Sequence, residues 1–105
     1  MSDSHPAVQA DPTIRVLFTA EQIAARVREM GLELAREYGD KKPLFVGVLR
    51  GACMFQCDLA RATPVELEMD FLAVASYGAG TVSSGHVRLV MDLRTDIAGR
   101  HVVLC

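Results

Sequence analysis

Apolar and polar positions along the chain follow a helical period first, then an unbroken apolar run, then alternation. In "TAEQIAARVREMGLELAREYGDKK", Ile23, Val27, Met30 and Leu34 recur at the three- and four-residue intervals that share one helix face. Thr19 with Gln22 three positions on is a capping-box pattern for the start, and Gly39 then Pro43 mark the end. The apolar face is expected to pack on a sheet and the charged face to meet water. "LFVGV", Leu44 to Val48, contains no polar residue and predicts a strand buried on both faces. Ala52 to Ala62 returns to helical spacing through Met54, Phe55, Leu59 and Ala62, stopping near Thr63-Pro64. "VELEMDFLAVASY" alternates through Val65, Leu67, Met69 and Phe71 before turning wholly apolar, so it predicts a strand that begins half-exposed and finishes buried. A small-residue loop, "GAGTVSSG", separates it from the strand "HVRLVM"; "DLRTDIAGR" is rich in turn residues, and "HVVLC" begins one more strand. Helix, strand, helix and three further strands predict an α/β or α+β sheet protein.

Composition narrows the reading. A chain of 105 residues holds one domain at most, and its half-apolar make-up is that of a globular protein rather than a disordered one. We expect a disordered tail over residues 1–12 and one domain portion over 13–105. Eleven basic against thirteen acidic side chains leave a net charge of −2, which argues against broad nucleic-acid binding. No apolar run reaches the roughly 20 residues that span a bilayer, and the opening "MSDSHPAVQADP" lacks the basic and apolar regions of a secretory signal. Cys53, Cys57 and Cys105 are odd in number, and the histidines at 5, 86 and 101 have no ligand spacing with them. The thiols are therefore expected to be small buried groups, as suits a reducing cytosol.

Chemistry concentrates in "VGVLRGACMF". A strand that turns tightly into a helix leaves first-turn N–H groups facing outward, where they and the helix dipole favour an anion. Gly51 lets a ligand approach the backbone, and Arg50 offers a fork of donors suited to phosphate. Turns of this kind also carry Arg and Gly for geometry alone. "GAGTVSSG" is no Walker loop, since it has no lysine and a strand follows it. It reads either as a plain connection or as a mobile lid with Ser76 and Tyr77 at its root. Asp92 and Asp96 fit turn chemistry, and His86 and His101 lack a visible acid partner.

"VGVLRGACMFQCDLARA", "DFLAVASYGAGTVSSG" and "VRLVMDLRTDIAGRHVVL", in this order, resemble the bacterial hypoxanthine-guanine phosphoribosyltransferases from about Val16 to Cys105. The resemblance implies a type I phosphoribosyltransferase-like α/β fold: a largely parallel sheet flanked by helices, with a small hood. It implies purine salvage, in which hypoxanthine or guanine displaces pyrophosphate from phosphoribosyl pyrophosphate (PRPP) to give IMP or GMP. Leu49, Arg50 and Gly51 match the loop that holds pyrophosphate, often with a cis peptide bond before the basic residue. Many members have Lys where Arg50 stands. Ser76 and Tyr77 match the lid that excludes water from the reacting centre. Ala79 stands where many members have a serine. The resemblance further implies Mg2+ carried with PRPP, a cytoplasmic location and a homo-oligomer, dimer or tetramer.

The chain stops at Cys105, before the acidic pair and the Asp-Ser/Thr-Gly motif that hold the ribose phosphate in the family. The residues that recognise the base and the distal metal-binding aspartate also lie downstream of that point. The expectation is a fold truncated before its last core elements, inactive and poorly soluble by itself. A non-catalytic remnant or interaction module on the same scaffold is the alternative.

Overall fold

The computed structural model describes residues 12–77 and 86–105. Helix α1 (Ala20–Tyr38), strand β1 (Leu44–Leu49), helix α2 (Cys53–Ala62) and strands β2 (Glu68–Tyr77), β3 (His86–Met91) and β4 (Val102–Leu104) follow in that order. The α1 cap forms as the pattern predicts. Gln22 N donates to Thr19 Oγ1 at 3.1 Å, and Thr19 N donates back to Gln22 Oε1 at 2.8 Å.

The strands form one sheet in the order β3-β2-β1-β4, in which β1 runs parallel to both β2 and β4, and only β3 is antiparallel. The predicted largely parallel sheet is therefore present. Leu44, Phe45 and Val46 are at most 1% exposed, as expected for a strand covered on both faces. On one face Phe45 packs with Leu59 of α2 and Val27 of α1, joined by Met30, Leu34, Leu67 and Val103.

Helix α1 covers the same face of the sheet as expected, through Val27, Met30 and Leu34, and runs alongside α2. The approach is close because Gly31 faces the Ala62 backbone: a Cβ at Gly31 would overlap the Ala62 carbonyl.

The other face is covered differently. Strands β3 and β4 sit at opposite edges, so the connection over residues 92–101 must cross the sheet. It is fastened there by Asp70, the register partner of Val46 and hence on the same face. The Asp70 carboxylate accepts from the backbone N–H of Phe71 at 2.7 Å, Arg94 at 2.9 Å and Thr95 at 2.8 Å. Donation from Thr95, then from Phe71, holds its pKa below the ordinary carboxylate value, against a smaller opposing effect of burial.

The C-terminal part of β2 departs from its expected burial. Leu49 pairs with Ala73, and β1 ends there, so residues 74–77 pair with β3 alone. The register also shifts at this point, from Ala73 opposite Met91 to Val74 opposite Leu89, leaving Val90 as an extra residue on β3. With only β3 beside it and no helix against β2 among the described residues, the apolar run Val74–Ala75 is exposed instead of buried.

Residues 1–11 of the expected tail lie outside the described residues. Each of the three cysteines is free and partly covered rather than fully buried, and burial pushes the Cys105 thiol pKa up. The described residues contain no helix long and apolar enough to cross a membrane.

Candidate functional site

Because β2, β1 and β4 are parallel, their carboxyl ends emerge at the same end of the sheet. In open α/β sheets ligands bind outside those ends. At the end of β1 the Leu49–Arg50 peptide bond is cis, in agreement with the feature expected for this loop. The turn then closes through Ala52 N to Val48 O at 3.4 Å and Cys53 N to Arg50 O at 3.1 Å. Arg50 and Gly51 are exposed, and a Cβ at Gly51 would meet nothing within 4 Å. The glycine therefore relieves no clash within the protein; it leaves the backbone bare toward solvent.

Helix α2 begins without help from its own side chains, since Ala52 at the N-cap makes no side-chain bond. Cys53 N is already given to Arg50 O, but among the described residues no backbone acceptor is recorded for the next donors, Met54 N and Phe55 N. These and the positive end of the dipole remain for an outside acceptor, and Arg50 stands two residues before the cap. A flexible cation, an unobstructed glycine and an uncapped helix start together suit a multiply charged anion such as a phosphate or pyrophosphate.

The loop rests on a support that pattern reading passed over. Gln56, in the first turns of α2, is fully buried. Its Nε2 donates to Phe45 O and to Asp70 O, both at 3.1 Å, bridging β1 and β2. Gly47 makes the room: a Cβ there would fall on Gln56 Oε1. Two sequence signals pointed this way, a glycine inside an apolar run and a glutamine three residues before the buried Leu59.

Ser76 and Tyr77 stand at the end of β2, paired in register with Val87 and His86. Ser76 is exposed and lies three residues past the level of Leu49, about 10 Å along the strand at ordinary strand rise. The two sequence-derived groups thus share one end of the sheet, but the described structure records no bond between them. Residues 78–85, with Ala79, lie outside the described residues. Asp92 and Asp96 have the turn role expected of them, accepting from Leu93 N at 2.7 Å and Ala98 N at 3.0 Å. His101 lies with its ring 5.9 Å from that of Tyr38.

An open groove of about 600 Å³ lies away from this loop, between Ile23, Val27 and Arg28 of α1 and Asp58 and Arg61 of α2. Its apolar floor and mixed-charge rim suit no particular anion.

Residues 16–105 match the family model described as phosphoribosyl transferase domain. The chain belongs to the phosphoribosyl transferase family. Among curated relatives, the hypoxanthine-guanine phosphoribosyltransferase of Bacillus subtilis is 47% identical over 90 residues, covering 86% of this chain and 50% of that protein. The crystal structure of a hypoxanthine phosphoribosyltransferase from Staphylococcus aureus superposes with a TM-score of 0.80 at 37% identity, over 86% of this chain and 49% of that one. A point mutant of the Trypanosoma cruzi hypoxanthine phosphoribosyltransferase, complexed with its product IMP, follows at a TM-score of 0.76 and 38% identity, over 87% and 50%. The chain spans about half the length of these relatives. Its fold is that of their N-terminal portion.

Proposed function

We propose that this chain supplies the pyrophosphate-holding part of a purine phosphoribosyltransferase that converts hypoxanthine or guanine and PRPP into the nucleoside monophosphate and pyrophosphate. The observation that carries this reading is the turn after β1, where exposed Arg50, bare Gly51 and the uncapped start of α2 converge. In this reading Leu49, Arg50 and Gly51 bind the diphosphate of PRPP, and its developing negative charge is met by donors already in position. Ser76 and Tyr77 belong to the segment that covers the reacting centre and excludes water. In this reading magnesium enters as an ion carried by the diphosphate of PRPP. The cytoplasm is the compartment assigned to such a salvage reaction. Exposed Leu17, Phe18 and Ile23 support association into a homo-oligomer.

Calorimetric titration of the chain with magnesium pyrophosphate and with PRPP tests the reading. Both ligands are expected to bind, and Arg50→Ala to weaken each by about ten- to a hundredfold, the value of a hydrogen bond to a charged group. No binding by the unmodified chain, or an unchanged affinity in Arg50→Ala, would overturn it. Nucleotide formation from hypoxanthine and PRPP is expected to be absent with the 105 residues alone.

A further inference from the structure

A core position beside the loop breaks the usual rule for cores. Leu or Met in the place of Gln56 would bring no polar atom of its own to satisfy, whereas a buried amide requires partners for every polar atom. Gln56 has them on one side only. Both Nε2 protons are taken by Phe45 O and Asp70 O, while Oε1 is buried without a hydrogen-bond partner. Turning the amide over would set an oxygen against two carbonyl oxygens, so this orientation is fixed. Burying an acceptor unsatisfied is costly in itself. Gly47 adds a second cost, because glycine inside a strand gives up packing and entropy. Two departures from core rules thus meet at one contact, and such departures concentrate where a site needs them.

The contact lies under the Arg50 turn. Gln56 N donates to Ala52 O at 2.9 Å, so the residue belongs to the first turns of α2, while its side chain grips β1 at Phe45 and β2 at Asp70. The turn from Leu49 to Ala52 is strung between those two anchors, the strand and the helix start. An apolar side chain would fill the space but could slide along the sheet; two directed bonds to neighbouring strands set the height and rotation of the helix.

We propose that Gln56, seated over Gly47, is a positioning residue for the Leu49–Arg50–Gly51 loop, fixing the start of α2 so that its N–H groups and Arg50 meet the diphosphate together. This rests on the pyrophosphate reading above.

The test uses the 105-residue chain with magnesium pyrophosphate as the probe. Gln56→Met keeps the volume and removes both donors. The variant is expected to fold and melt cooperatively but to bind pyrophosphate about tenfold more weakly, the effect of one misplaced charged hydrogen bond. A folded Gln56→Met chain with unchanged affinity overturns the proposal. Should that variant fail to fold, the unmodified chain decides through hydrogen exchange of the Gln56 side-chain amide. If opening this amide dismantles the loop, ligand at about 100 times its Kd must slow the exchange about a hundredfold, by linkage. Slowing no greater than that of the α1 backbone amides overturns the proposal. Binding that Arg50→Ala weakens while Gln56→Met preserves removes only this inference. Binding that Arg50→Ala leaves intact removes the pyrophosphate reading itself.

Discussion

Strand β1 and the ribbon formed by the far end of β2 with β3 are built from the same residue types and have opposite fates. Leu44 and Phe45 are 0% exposed, whereas Val87 is 69% and Val90 61% exposed. β1 has a strand on either side, α2 on one face and the 92–101 connection across the other. Among the described residues each strand of the ribbon has only the other as a neighbour, because β1 ends opposite Ala73. Burial is therefore decided by what lies next to a strand, and an apolar run alone states only that it can be covered. The two regions also lead to different places: the covered seam runs into the Arg50 turn, and the ribbon includes Ser76 and Tyr77 at the end of β2.

The largest effect is expected where cover is complete. Phe45→Ala should destabilise the chain by about 3–5 kcal/mol, the cost of emptying a fully packed aromatic site. Urea unfolding at neutral pH measures it, and a loss below about 1 kcal/mol would remove the distinction between seam and ribbon. For a domain of this size the expected loss is a large share of the total stability, so the variant should be largely unfolded at about 37 °C.

Next comes the fastening of the crossing connection. Asp70 has its pKa held below the ordinary value by N–H donors of Thr95, Phe71 and Arg94. A carboxylate depressed in the fold contributes stability that is fully present above the unfolded pKa of about 3.9 and is lost as pH falls through the lower folded value. Asp70→Asn should therefore melt at a lower temperature than the unmodified chain at about pH 7, and the gap should close on acidification below about pH 4. A gap that stays constant from about pH 7 to about pH 3 would show that the charge of Asp70 does not fasten the connection.

These two residues also show what was legible in advance. Phe45 could be read from the unbroken run "LFVGV", since nothing polar interrupts it; Thr19 and Gln22 spelled out a cap with all its atoms local in sequence. The turn at Arg50 was legible for the same reason: strand, basic residue, glycine and helix are consecutive. Asp70 and Gln56 were not. Apart from Phe71 beside Asp70, their partners lie 24, 25, 11 and 14 residues away, at Arg94, Thr95, Phe45 and Asp70, and such bonds leave no periodic trace. The exposure of the far end of β2 was hidden for a related reason, because the length of β1, which decides its cover, is not encoded in β2.

The smallest effect should come from the ribbon. Val87→Thr keeps the β-branched shape and the strand preference while adding a hydroxyl to a side chain already in water. Its cost should stay within about 0.5 kcal/mol in urea unfolding, roughly a tenth of what Phe45→Ala removes. A loss above about 1 kcal/mol would mean that something packs on Val87 in solution. Repeating the melts over a roughly hundredfold range of chain concentration identifies what it is. A second copy of the chain makes the loss grow with concentration, since only association couples stability to the amount of protein. A loss independent of concentration points to cover from within the same chain, and the ribbon would then belong with the seam.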